Sequence, residues 1–306
     1  MESQSDGPRA EELVGALHVA FGDHHARAVH AKGIMVEGTF LPADEARSVS
    51  RASLFSGGEL TVLTRFSDFT GSPDIPDGAQ AANPRGMAVR FRLPNGRPTD
   101  VVAHGFNGFP VANAADFRAF LLAIGASGVG AAKPTALDRF LADHPIAKAF
   151  LETQKPAPES FATLTYYGVN AFRLTNQEGG ACHARYRFVP RAGESFVPEA
   201  ERAKLAKNYL MDELPSRLKL TPVVFDWLAQ IAVAEDVIDD PSIAWPESRR
   251  LVKLGAISLT GMVEHAAVLD KATVFAPGDL PEGIEAADPM ILMRHAAYPI
   301  SARHRQ

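Results

Sequence analysis

Apolar and polar residues alternate with a period of two in several stretches of the chain, the pattern of strands with one covered face. In 59–67, ELTVLTRFS, Val62, Thr64 and Phe66 share one face, and Thr61, Leu63, Arg65 and Ser67 share the other. In 86–93, GMAVRFRL, Met87, Val89 and Phe91 oppose Ala88, Arg90 and Arg92. Further strands are predicted over 163–174, 183–189, 222–233 and 251–261. A helical period predicts helices over 9–21, 114–124, 135–151, 200–216 and 289–298. Residues 71–84 read as a long loop and 153–159 as a connector. Strands concentrate in the first and last thirds, with helices between. This points to an α+β fold, an antiparallel sheet or barrel with helical insertions.

Composition narrows the function. The chain has 306 residues, 46% of them hydrophobic, enough to bury a sizeable core. Lys+Arg number 31 against 36 Asp+Glu, a net charge of −5. No basic footprint for nucleic acid or an anionic membrane is therefore expected. The single cysteine, Cys182, excludes an internal disulfide and is compatible with a reducing compartment. Residues 1–12 are polar and carry Glu2, Asp6, Glu11 and Glu12, unlike a signal peptide. The most apolar run, 119–132, is too short and too rich in glycine to span a bilayer. The cytoplasm is the expected location.

Several motifs can be set aside. A phosphate loop needs a lysine directly after its last glycine, and two alanines separate Gly130 from Lys133. His24, His25 and His30 form a local cluster, but adjacent histidines on a helix point about 100° apart, so His24 and His25 do not both face one metal. Cys182 and His183 lack a partner cysteine and read as strand residues.

Four separated pieces fit one chemistry. Arg294 and Tyr298 are four residues apart and share a helix face. A neighbouring guanidinium favours phenolate, a hard anionic ligand suited to ferric iron, and tyrosine is one of the few axial ligands of haem. His30 has the imidazole that a peroxide O–O cleavage needs as acid–base near neutral pH. Ser67 can orient that ring, and Arg65 shares its strand face. Arg27, Arg65 and Arg305 match planar carboxylates such as haem propionates. Taken singly, Tyr298 reads equally as a packed tyrosine and each arginine as a solvated charge.

Together, RAVHAKG and GTF, RFS, NPRGMAVRF, TDVVA, YYGVNAF, WPE at 245–247 and LPEGIEAADPMILMRHAAYP resemble the haem catalase family. The likeness is strongest to its small catalase-related peroxidases and covers roughly residues 24–306. It implies an antiparallel eight-stranded β-barrel with haem b buried at one end, preceded by a helix or arm at 1–23. It implies His30 as the distal acid–base residue with Ser67 as its partner, Tyr298 as the axial iron ligand and Arg294 as the guanidinium that keeps it ionised. It implies Arg27, Arg65 and Arg305 at the propionates, and Phe117 as a ring on the haem face. Val29, directly before His30, is similar to catalases and peroxidases, whereas related allene oxide synthases tend to carry threonine there.

Two departures matter. Where catalases carry a distal asparagine, the motif from Asp100 places His104, with Asn107 three residues on, and either could serve. The chain also stops eight residues after Tyr298, so a C-terminal helical or flavodoxin-like domain, an interlocked tetramer and an NADPH site are not expected; a simpler homo-oligomer is left open. The resemblance implies a haem-dependent peroxidase that reduces hydrogen peroxide, with organic hydroperoxides as a further substrate class, using a small organic reductant and with weak residual catalase activity. A fatty-acid hydroperoxide isomerase of the catalase-related type and a non-enzymatic haem-binding protein are the alternatives.

Overall fold

Alternation along each strand decides which residues enter the barrel and which face outward. The computed structural model describes residues 7–305, so Glu2 and Asp6 of the polar N-terminus lie outside the described residues. Helix α1 (Ala10–Phe21) precedes strands β1 (Gly33–Pro42), β2 (Leu60–Ser67), β3 (Gly86–Arg92) and β4 (Pro98–His104). Helices α2 (Ala114–Gly125), α3 (Ala136–Asp143) and α4 (Pro145–Glu152) follow. Then come β5 (Tyr166–Thr175), β6 (Ala181–Pro190), α5 (Glu199–Arg202), α6 (Tyr209–Leu218), β7 (Val223–Ile231) and β8 (Leu251–Met262). Helix α7 (Ala266–Ala272), β9 (Ile284–Ala286) and α8 (Met290–Arg303) complete the order.

The strands are antiparallel in the order β4-β3-β2-β1-β8-β7-β6-β5. Pairing of His104 with Tyr167 joins β4 to β5 and closes an eight-stranded barrel, with β9 added beside β5. Val62, Thr64 and Phe66 of β2 and Met87, Val89 and Phe91 of β3 are buried on the inner face, as their alternation predicts. A barrel of eight strands is just wide enough for side chains to fill. Trp227 does so at 1% exposure, its ring centre 4.9 Å from Phe91, 5.5 Å from Phe40 and 5.6 Å from Phe188. The lumen is therefore solid, and a ligand site has to lie outside it.

Five differences from the sequence reading stand out, and the first three have local causes. Strand β1 lacks a clean alternation because a bulge between Glu37 and Gly38 shifts its register against β8. Strand β4 is short and begins at a proline, and it too escapes the pattern. The helix predicted over 135–151 is two helices, because Pro145 at the first position of α4 forces His144 out of helical geometry. The helix predicted to end at 298 continues through Pro299 to Arg303, and 200–216 splits into α5 and α6.

Helix α1 is not a detached arm. Val14, Ala16 and Leu17 form an apolar cluster with Leu121 of α2 and with Ala297 and Ile300 of α8. Among the described residues, no helix is long and apolar enough to cross a membrane.

Candidate active site

Register places small and polar residues in a row along one barrel end. Gly33 pairs with Ser67, Ser67 with Gly86, and Gly86 with His104. On the outward face of β2–β4, Arg65, Ser67, Gly86, Ala88, Val102 and His104 line a cleft whose atom-free space, its open mouth included, is about 1480 Å³. Helices α1, α2 and α8 cover it with Leu13, Val14, Leu17, Phe117, Tyr298 and Ser301. The haem cavity implied at one end of the barrel is thus a cleft against the barrel's outer wall, because Trp227 and its neighbours fill the inside.

His30 stands on this wall with a left-handed backbone, φ 57°. That conformation is sparsely populated outside glycine and is held only where the surroundings impose it. Here its N–H donates to the carbonyl of Phe69 at 2.7 Å, and Arg65 Nη1 donates to its own carbonyl at 2.8 Å. The ring Nδ1 lies 3.1 Å from the Ser67 hydroxyl. Arg65 reaches this position because Gly33 has no side chain: a β-carbon there would stand 2.4 Å from the guanidinium carbon. Burial, then the charges of His104, Arg65 and Arg294, pull the His30 pKa down to about 3. His30 is therefore a neutral base at physiological pH, because the ring is out of water and beside cations.

His104 faces the same cleft. The Phe106 N–H approaches its Nδ1 at 3.4 Å, which makes Nδ1 the acceptor and leaves the proton on Nε2. That Nε2 is buried and has no hydrogen-bond partner among the described residues. Burial and then Arg294 pull the His104 pKa down to about 3 as well. Asn107, the rival for the distal amide, does not line the cleft; its Nδ2 donates to Glu247 at 3.1 Å. The chain turns out of the wall after Gly105, so Asn107 is carried out of reach before Phe109 returns to the lining.

On the opposite wall, Arg294 Nε and Nη2 donate to the Tyr298 hydroxyl at 3.1 and 2.9 Å. Arg294 Nη1 also donates to Asn170 Oδ1, and Asn170 Nδ2 donates to Asp288 at 2.7 Å. Asp288 in turn accepts the Met290 N–H at 2.8 Å, at the start of α8. Burial raises the Asp288 pKa. The sequence reading assigned no role to Asn170 or Asp288, although both lie inside quoted motifs; nothing local marks them as a relay to Arg294.

At the mouth, three guanidiniums converge. Arg27 and Arg65 both bind Asp270, at 2.7 and 2.6 Å, and Arg305 Nη2 donates to the Thr273 carbonyl at 2.6 Å. Burial, then repulsion from Arg27, lowers Arg65 to about 10, and the same causes lower Arg305 to about 10. Both stay charged at neutral pH. Asp270 lies on α7, a helix absent from the sequence reading. Val29 and Phe117 line the apolar part, with the Phe117 ring 5.0 Å from Phe109.

These residues fit an iron porphyrin. The tyrosine hydroxyl accepts two guanidinium hydrogen bonds, an arrangement that favours an anionic oxygen donor. His104, which lines the cleft, has a buried Nε2 with no hydrogen-bond partner among the described residues. Three cations at the mouth against one carboxylate leave a net charge of two, which two propionates would neutralise.

A catalase family model matches residues 24–306. The chain belongs to the catalase family. It is 33% identical over 305 residues to a catalase-related peroxidase of Synechococcus elongatus, across 98% of this chain and 89% of that one. It is 35% identical over 306 residues to a catalase-related peroxidase of Mycolicibacterium paratuberculosis, across 98% and 96%. Catalase A from Saccharomyces cerevisiae shares the fold, with a TM-score of 0.81 at 20% identity, across 92% of this chain and 61% of that chain.

Proposed function

We propose that this catalase-family chain is a haem-dependent peroxidase that reduces hydrogen peroxide, and organic hydroperoxides as secondary substrates, with a small organic electron donor and weak residual catalase activity. One observation carries this reading: two neutral imidazoles and a guanidinium-bound tyrosine hydroxyl line a single cleft. Its full-length relatives named catalase-related peroxidase support it. The cytoplasm is the proposed location, compatible with the lone Cys182.

Haem b, when bound, supplies the iron and porphyrin that exchange two electrons with peroxide. Tyr298 would hold the iron through its hydroxyl oxygen, with Arg294 stabilising charge on that oxygen. Arg27, Arg65 and Arg305 would bind the propionates, and Phe117 and Val29 would pack on the ring. His30, neutral and fixed by Ser67 through Nδ1, takes a proton from one peroxide oxygen on Nε2 and returns it to the other, so water leaves. His104, whose buried Nε2–H is without a partner among the described residues, would donate a hydrogen bond to the peroxide in place of the family's amide. The apolar walls exclude bulk water, and the organic donor returns two electrons and two protons, with which the second oxygen also leaves as water.

The test is oxidation of a phenolic donor by hydrogen peroxide with the haemin-reconstituted protein, against free haemin, with oxygen release recorded. Turnover well above free haemin with little oxygen is expected. His30→Ala keeps the haem spectrum while slowing the peroxide step by about 10²–10⁴-fold, and Tyr298→Phe weakens haem retention. Rates equal to free haemin would overturn the reading.

A further inference from the structure

Three donor side chains meet outside the cleft, at a place no motif marks. His18 is on the last turn of α1, Asp23 follows that helix, and His304 follows α8. One ligand atom from each lies within 4.8 Å of the others. His18 Nδ1 stands 3.5 Å from Asp23 Oδ2. Two donors bound to one tetrahedral zinc at about 2.0–2.1 Å are separated by about 3.4 Å. The rings of His18 and His304 have centres 5.1 Å apart at 85°. Imidazoles on one tetrahedral zinc have centres about 5 Å apart, by the same geometry. The rings are therefore spaced as co-ligands and edge-on rather than stacked.

The carboxylate is already oriented. The backbone N–H of His25 donates to Asp23 Oδ1 at 3.2 Å, which leaves Oδ2 toward the imidazoles. Such outer hydrogen bonds fix the direction of a metal ligand. This N–H, then the neighbouring histidines, holds the Asp23 carboxyl below its usual range. The neighbouring His24 is not part of the group, because its Nε2 is engaged with the Phe21 carbonyl at 2.9 Å.

We propose that His18, Asp23 and His304 bind a divalent metal ion of the zinc class, with water completing a tetrahedral site. Two imidazoles and one carboxylate are a common ligand set for zinc, and the partial exposure of all three lets them close the remaining distance. The site joins the C-terminal ends of α1 and α8. These helices both cover the cleft, α1 through Leu13, Val14 and Leu17 and α8 through Tyr298. The metal is thus a clip that holds the cover of the cleft in place, in addition to the apolar contacts between the same helices. The proposal stands apart from the haem reading, since none of the three ligands lines the cleft.

The experiment is isothermal titration of zinc chloride into the purified, haem-loaded chain, with thermal melts with and without the metal. One equivalent is expected to bind with a micromolar Kd and to raise the Tm by about 5 °C. His304→Ala, Asp23→Asn and His18→Ala each raise the Kd by at least ~10-fold and remove the Tm shift. His304 and Asp23 are exposed, so those two variants keep their fold, which circular dichroism checks. Absence of a binding heat up to ~100 µM zinc, or equal affinity in all three variants, would overturn the proposal.

Discussion

A β-carbon on Gly86 would stand 2.7 Å from His30 Nδ1 and 2.5 Å from the Ser67 hydroxyl oxygen. Glycine at this point of β3 is what allows the imidazole and the hydroxyl to meet. The register that pairs Ser67 with Gly86 brings the missing side chain directly under the ring.

Gly86→Ala is therefore expected to displace His30 while leaving the barrel folded, since the neighbours that must move are side chains. A misplacement of about 1 Å costs up to roughly 10²-fold in rate. Stopped-flow mixing with hydrogen peroxide should show that loss with the haem spectrum retained. An unchanged rate would show that the His30 position does not depend on this gap.

Asp270→Asn removes the one carboxylate shared by Arg27 and Arg65. Loss of charge-assisted hydrogen bonds at a partly buried position costs about 2 kcal/mol. The haem-free protein should melt several degrees lower, and the three arginines should hold an added anion more tightly. Equal melting temperatures would mean that the carboxylate does not hold the arginines together.

Acid is expected to destabilise the protein through His30 and His104. Unfolded imidazoles take up protons below about pH 6.5, while the folded rings resist until about 3. The unfolded state thus binds more protons across this window, so stability is full above about pH 6.5 and falls as the pH is lowered toward 3. Urea midpoints at pH 7.5 and 5 measure it, and the difference should shrink in His104→Gln. The same neutrality makes the peroxide step flat from about pH 5 to about pH 8; an inflection near 6.5 would show an imidazole titrating as if in water.

Trp227→Ala should cost about 3–5 kcal/mol, the penalty for emptying a packed site of that size. Trp227→Phe should cost much less, because the indole N–H has no hydrogen-bond partner among the described residues to lose. Denaturant unfolding followed by circular dichroism separates the two. Similar losses in both variants would argue against a packed lumen.

Much of the barrel could be read along the chain, because strand alternation is a local signal. Val62, Thr64 and Phe66 face in and Arg65 and Ser67 face out for no reason beyond pleat geometry. The Arg294–Tyr298 contact follows in the same way from one helical turn. Strand β1 was hidden by its bulge and the α3–α4 break by a proline within an otherwise periodic run. The choice between His104 and Asn107 could not be read locally, since it depends on where the chain turns after β4.

The sequence by itself determined the alternating faces, the helix-borne Arg294–Tyr298 pair and the supply of acid–base and cationic groups, since each depends only on neighbours along the chain. Tertiary structure alone decided that the barrel lumen is filled and the cleft lies outside it, that Asp270 meets Arg27 and Arg65, and that His18 meets His304. Those contacts join residues far apart in the chain. Strand closure and helix packing create them, and no local spacing encodes them.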